Sequence, residues 1–152
     1  MTSRVVLTHA PLSEAAVRAV VVHPAAGAVL VFHGITRDHF EGRAVLELSY
    51  EAYPGMAEAQ MGAIVAEAET RWPGVRVAIA HRLGVVPVSE ASVLIGVSSP
   101  HRGDCYAASR FAIDTLKARV PIWKKEHYAD GSAWKANQES GRGVLVAGTE
   151  KS

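Results

Sequence analysis

The sequence predicts an α+β protein, and three observations point there: two long stretches with helical apolar spacing, several short apolar or alternating runs that suit strands, and turn residues between them. Its 152 residues fit one domain covering 1–152, long enough to bury a sizeable core, with the tail 138–152 unassigned. Hydrophobic residues make up 49% and charged residues 20%, a globular balance without the mark of disorder.

Taken in order, Ser13 suits an N-cap, and a short helix is expected over 14–21. Pro24 and Gly27 then break the chain. Val29, Leu30, Val31 and Phe32 form a continuous apolar run that reads as a buried strand over 28–34. Glu41-Gly42 is a turn into a second strand, where Leu46, Leu48, Tyr50 and Ala52 alternate with Glu47, Ser49 and Glu51. These two strands are expected to pair as an antiparallel hairpin with Arg37-Asp38-His39 at its tip. Pro54-Gly55 ends the second strand. Ala57, Met61, Ile64, Val65, Ala68 and Trp72 then fall on one helical face, and Pro73-Gly74 stops that helix.

Strands are expected over 75–83 and 91–98, joined by a loop containing Pro87. A second long helix covers about 102–119 and ends at Pro121, because proline disfavours helical geometry in the residue before it. The chain over 122–128 reads as extended, and Val144-Leu145-Val146 between glycines as an edge strand.

Several function classes drop out. A formal net charge of +1 supplies no strong field toward nucleic acid or membrane, so any anion site is local. The lone Cys105 excludes an intrachain disulfide. The apolar run in the first seven residues is too short for a signal peptide, and nothing approaches the roughly 20 apolar residues that span a bilayer. A cytoplasmic protein is expected. Seven histidines without an HExxH pattern, and a single cysteine, predict no metal site; no P-loop or GxGxxG motif is present, and no cofactor is expected.

Four places are candidates for chemistry. At Ser98-Ser99-Pro100-His101-Arg102-Gly103 a strand hands over to a helix N-terminus, where free N–H groups and the helix dipole favour an anion. His101 and the planar fork of Arg102 would add to it; the plainer alternative is that Ser99 caps the helix and Arg102 is solvated. Lys117 and Lys124 flank Pro121. Strand parity sends Ile122, Lys124 and Glu126 one way and Trp123, Lys125 and His127 the other, so Lys117 and Lys124 can converge across the corner. The alternative there is a helix end dressed with cations that suit its dipole. Gly34-Ile35-Thr36-Arg37-Asp38-His39 is a polar tip after a buried strand, placed for binding or simply wet. Cys105, in a first helical turn with His101 four residues before it, is placed to be a nucleophile, yet cysteine is also among the most buried residue types.

Five segments, taken together and in register, resemble one family. They are Phe32-His33-Gly34-Ile35-Thr36-Arg37, Leu48-Ser49-Tyr50-Glu51-Ala52-Tyr53-Pro54-Gly55-Met56, His81-Arg82-Leu83-Gly84, Ser98-Ser99-Pro100-His101-Arg102, and the run from Leu116 through Lys117, Pro121, Trp123, Lys124 and Lys125 to Glu126. Over roughly residues 27–137 the chain is similar to the large, catalytic subunit of molybdopterin synthase. The resemblance implies an α/β hammerhead with an additional antiparallel β subdomain. It also implies a homodimer within a heterotetramer, each protomer binding a small ubiquitin-like sulfur carrier that ends in Gly-Gly. The carrier's thiocarboxylate would deliver sulfur to cyclic pyranopterin monophosphate, and two transfers would build the molybdopterin dithiolene. This chain closes on Glu150-Lys151-Ser152 and is expected to need that partner rather than be it.

The family's substrate contacts map onto Ile35, Thr36, Arg37, His101, Arg102, Lys117, Lys124, Lys125 and Glu126. Lys117 would be the catalytic residue, protonating a leaving oxygen or activating the attacked carbon, and Lys124 would hold charge near the tail's carboxyl end. Beyond about Asn137 the sequence departs from the family's pattern, in which a basic residue often stands shortly after the tryptophan matching Trp134; Gln138 and Arg142 leave that contact open. A non-catalytic module gripping a ubiquitin-like tail or a phosphate is the competing reading, and a hydrolase built on Cys105 a remote third.

Overall fold

The computed structural model describes residues 3–131, 133–137 and 143–146. In chain order they form β1 (Val5–Thr8), α1 (Glu14–Val21), β2 (Ala28–Ile35), β3 (His39–Phe40), β4 (Arg43–Ala52), α2 (Pro54–Arg71) and β5 (Arg76–Arg82). Then follow β6 (Gly84–Pro87), β7 (Ala91–Ser99), α3 (Arg102–Arg119), β8 (Ile122–Tyr128), β9 (Ala133–Asn137) and β10 (Gly143–Val146). Mixed strands and three helices make the α+β class expected from sequence.

A four-stranded sheet runs β1-β5-β7-β2, with β1 parallel to β5 and the other pairs antiparallel. Helix α1 packs on one face and α2 with α3 on the other. Both faces are therefore dry, which is why β5 and β7 read as continuous apolar runs rather than alternating ones. The larger core, on the α2–α3 side, holds Met61, Ile64, Ile79, Ile95 and Leu116. Each is fully buried and stabilises the fold by roughly 1.5–3 kcal/mol. The smaller core joins Val17 and Val21 of α1 to Ala78, Ala80 and Leu94. Gly96 permits that approach: a Cβ there would lie 2.6 Å from Val17 Cγ1.

The second, antiparallel sheet runs β10-β9-β8-β4-β3, and β6 also pairs with β4. From Leu48 to Ala52 β4 alternates as expected, with Leu48 and Tyr50 buried. A register shift between Val45 and Glu47 reverses the parity before it, so Val45 is buried and Leu46, expected on the apolar face, is exposed.

Local signals fix the helix ends. The Ala16 N–H donates to Ser13 Oγ, capping α1 over the span expected. Pro54 does more than end β4, because it occupies the first turn of α2, where its missing N–H costs nothing. α3 stops before Pro121. At its start, Ser99 Oγ donates to the His101 carbonyl, so Ser99 is not the helix cap; His101 is, without a side-chain capping bond.

The expected β2–β4 hairpin does not form. β2 pairs with β7, and β4 pairs with β8, β6 and β3 in the other sheet. The physical reason was present in the patterns: a strand apolar on both faces and a strand with one wet face belong to different layers. The Glu41-Gly42 turn survives in the small β3–β4 hairpin, with Glu41 and Gly42 at φ of 50° and 78°. The loop expected around Pro87 contains β6, and β1 and β9 are strands that the sequence reading passed over. β10 is the edge strand expected from Val144 to Val146. Among the described residues, no helix is long and apolar enough to cross a membrane.

Candidate active site

A cleft of about 210 Å³ takes its lining from both sheets and from the last turns of α3. β2 and the chain just after it supply Phe32, Gly34, Ile35 and Arg37; β3 supplies His39 and Phe40; β4 supplies Val45, Leu48 and Tyr50. His81 comes from β5, Ser92 and Val93 from β7, Ile113, Leu116 and Lys117 from α3, and Lys124 and Glu126 from β8. Gly34 lets β2 pass close to β7 at this wall, since a Cβ there would meet Val93 Cγ1 at 2.6 Å.

The β4–β8 register explains which β8 side chains face the cleft. Tyr50 stands opposite Lys124 and Leu48 opposite Glu126, and directly paired residues share a face. Ser49 stands opposite Lys125 on the reverse face, where Ser49 Oγ and His127 Nε2 are 3.1 Å apart. Lys125 is accordingly absent from the cleft wall, as strand parity required.

Three cations, Arg37, Lys117 and Lys124, share the cleft with one carboxylate. Glu126 is buried and held from two sides: Tyr128 Oη donates to Oε1 at 2.8 Å, and Lys124 Nζ lies 3.6 Å from Oε2. Burial, and then the Glu126 charge, push the Tyr128 hydroxyl up to about 12, so it stays a donor. Desolvation pulls the Lys117 ammonium below the usual lysine range, and the neighbouring Lys124 charge adds to the effect. Lys117 thus sits on a backbone terminus that favours cations, in a cleft that makes its proton easier to remove.

His81 is almost wholly buried, 1% exposed, yet it reaches the cleft wall. Its Nδ1 lies 2.9 Å from the Arg82 carbonyl oxygen, which can only accept, so Nδ1 carries the proton. Desolvation lowers its pKa to about 4, the Arg82 bond opposes that, and Lys117 adds to the lowering. Beside it, Tyr50 meets the ring edge-on at 5.1 Å and donates through Oη to Ser92 Oγ, which donates to the Gly34 carbonyl. His81 lies in the segment His81-Arg82-Leu83-Gly84, yet nothing local in the sequence assigns it a role. The available signal was a lone polar residue in a strand dry on both faces, which has to find a partner.

The sequence-derived residues divide as follows. Ile35, Arg37, Lys117, Lys124 and Glu126 meet at the cleft. Thr36 lies between Ile35 and Arg37 but turns inward: it is 2% exposed, and its Oγ1 donates to the Val86 carbonyl at 3.3 Å, fastening the loop. His101 and Arg102 are exposed at the far end of α3. Fifteen residues of helix separate Arg102 from Lys117, about 22 Å at 1.5 Å per residue, so within one chain they do not meet. Cys105 is buried, its thiol donates to the Val97 carbonyl, and burial pushes its pKa up, so it offers no thiolate. No group of three or more metal-ligating side chains occurs among the described residues, and Gln138 and Arg142 lie outside them.

Comparison with known proteins agrees with this architecture. The family model described as MoaE protein matches residues 7–119. The molybdopterin synthase catalytic subunit of Taeniopygia guttata is 53% identical over 129 residues, covering 84% of this chain and 83% of that protein. The crystal structure of molybdopterin synthase from Staphylococcus aureus superposes with a TM-score of 0.86 at 38% identity, over 90% of this chain and 99% of that one. A complex of subunits 1 and 2 of molybdopterin-converting factor from Helicobacter pylori shares the fold, with a TM-score of 0.67 at 21% identity over 84% of this chain and 87% of that one. Fold and relatives together define a sulfur-transferring enzyme of molybdenum cofactor biosynthesis. The chain belongs to the MoaE protein family.

Proposed function

We propose that the cleft receives the C-terminal Gly-Gly tail of a small ubiquitin-like sulfur carrier and that Lys117 and Lys124 serve sulfur transfer from it to cyclic pyranopterin monophosphate. The observation that carries this reading is the meeting of Lys117 and Lys124 in one cleft, with Lys117 partly desolvated and beside a second cation. The name catalytic subunit, borne by the relatives, itself implies another subunit.

The chemistry asks for two things. When the carrier's thiocarboxylate sulfur bonds to a pterin side-chain carbon, the oxygen that leaves needs a proton. The Lys117 ammonium supplies it, and its lowered pKa eases the transfer. The acyl group left on sulfur is then released by water as the carrier's carboxylate. Lys124, whose Nζ lies 3.6 Å from Glu126 Oε2, stabilises the negative charge that develops near the tail's carboxyl end. Ile35 and Arg37 border the entrance, and Lys125 contributes from the reverse face, chiefly through its backbone.

His101 and Arg102 fit this scheme as a phosphate or pterin contact only if two copies of the chain cooperate. A pterin phosphate does not span the length of α3, so Arg102 and Lys117 at one ligand come from different protomers of a homodimer. With a carrier on each protomer the assembly is a heterotetramer acting in the cytoplasm.

The test is single-turnover dithiolene formation from the chain, a thiocarboxylated carrier and the precursor. Dithiolene that forms only with all three supports the enzyme. Tight binding of carrier and precursor without dithiolene would leave the non-catalytic module instead.

A further inference from the structure

The polar groups of the cleft are unevenly matched. Arg37, Lys117 and Lys124 donate and do not accept. The Glu126 carboxylate is committed to Tyr128 and Lys124, and the Tyr50 and Ser92 hydroxyls are committed to one another and to the Gly34 carbonyl. Of the two histidines on the wall, His39 is exposed and meets Asp38 through its Nδ1, and the buried one is His81. Its Nδ1–H is used by the Arg82 carbonyl, so the neutral ring presents Nε2 as a lone-pair acceptor. Among the described residues Nε2 makes no hydrogen bond, and it is not one of the buried polar atoms closed off without a partner. On a residue this deeply buried, the surface that Nε2 keeps opens onto the cleft that His81 lines.

We propose that His81 is a ligand-reading residue, whose Nε2 accepts a hydrogen bond from an N–H group of whatever occupies the cleft. The proposal rests on the reading of the cleft given above and extends it to a residue with no assigned role. Two sources carry that chemistry, the backbone N–H of an extended glycine tail and a ring N–H of the pterin. An uncharged acceptor is useful here because a carboxylate in its place would pair with the cleft's cations, whereas a neutral imidazole stays available to an N–H group and does not attract a bare anion. Lys117, from α3, opposes its protonation; the other charged or titratable groups on the cleft wall are Arg37, His39, Lys124 and Glu126, the last held by Tyr128 and Lys124. Burial is the larger influence and keeps the ring neutral near pH 7.

Two substitutions separate the two ring nitrogens. His81→Asn places an amide near Nδ1, keeps the donor to the Arg82 carbonyl, and leaves nothing at Nε2. His81→Gln reaches the Nε2 position with an amide oxygen and gives up the Arg82 bond. Binding is measured on the whole dimer for the carrier and for the precursor separately. His81→Asn is expected to weaken one of the two by about 5–10-fold, the worth of one neutral hydrogen bond. His81→Gln should bind within about twofold of the unmodified chain while melting lower. Loss confined to the carrier assigns the N–H to the tail, and loss confined to the precursor assigns it to the pterin. Unchanged affinity for both ligands in His81→Asn, or equal losses in both variants, overturns the proposal and leaves His81 a core residue. Binding is read without turnover, so this outcome is independent of whether Lys117 proves catalytic.

Discussion

Lys117, near the end of α3, and Lys124, on β8, enter one cleft from different elements, and the charge of Lys124 adds to the desolvation that lowers the pKa of Lys117. The turn at Pro121 brings them together: the helix stops, the strand starts, and parity selects Lys124 over Lys125. Neither element alone places two cations in the cleft.

A pH shift follows from that pairing. If Lys117 acts as an acid, activity falls as pH rises through its pKa. Lys124→Ala removes the repulsion that lowers this pKa, so the alkaline limb of the single-turnover profile should move to higher pH even as the maximum rate drops. A profile that stays in place, or moves to lower pH, would mean that Lys117 does not set this limb.

His81 ties stability to acid. Its folded pKa, about 4, lies below the ordinary histidine value of 6.5, so between those values the unfolded chain binds the extra proton. The contribution is complete above pH 6.5 and is lost as pH falls toward 4. Its full extent is on the order of 3 kcal/mol. Denaturant unfolding at pH 7 and pH 4.5 should show a smaller drop in stability for His81→Asn than for the unmodified chain. Equal drops would assign the acid sensitivity to other groups.

The distance along α3 yields a mixing experiment. Lys117→Ala and Arg102→Ala homodimers should each be severely impaired. In a mixed dimer, a site built from both protomers suffers either both substitutions or neither, so half the sites regain full function. Unfolding and reassembling the two variants together should restore about a quarter of the unmodified activity, since half the dimers are mixed and half their sites intact. No recovery would place Arg102 and Lys117 at one ligand within a single protomer, or Arg102 outside the site.

Much of this molecule was legible in the sequence wherever a signal is local. Ser13, Pro54 and Pro121 set helix ends through backbone chemistry that acts within a turn, and Ala57 to Ala68 show the buried face of α2 directly. The pairing of β2 with β7 across some sixty residues has no local signature, and adjacency in the chain suggested β4 wrongly. The same limit applies to the site. Parity around Lys124 could be read from β8 alone, whereas the separation of Arg102 from the cleft, and the arrival of His81 and Ser92 in it, depend on how two sheets and a helix are laid against each other. Thr36 shows a subtler case: flanked by Ile35 and Arg37 at the cleft, its own side chain holds the loop to Val86.

The central claim is that Lys117 exchanges a proton during sulfur transfer while Lys124 supports it through charge. Its most direct test is single-turnover dithiolene formation by Lys117→Ala, Lys117→Arg, Lys124→Ala and Lys125→Ala, each checked for folding, dimer formation and carrier affinity. Removing a general acid typically costs about 10²–10⁴-fold, and Lys117→Ala should fall in that range with carrier binding intact. Lys117→Arg should fail to a similar degree, because a guanidinium keeps its proton. Lys124→Ala should be strongly impaired and Lys125→Ala distinctly milder, since its side chain lies on the reverse face of β8. Full activity in Lys117→Arg would make Lys117 an electrostatic anchor, and a loss in Lys125→Ala equal to that in Lys117→Ala would contradict the convergence of Lys117 and Lys124 on which the account stands.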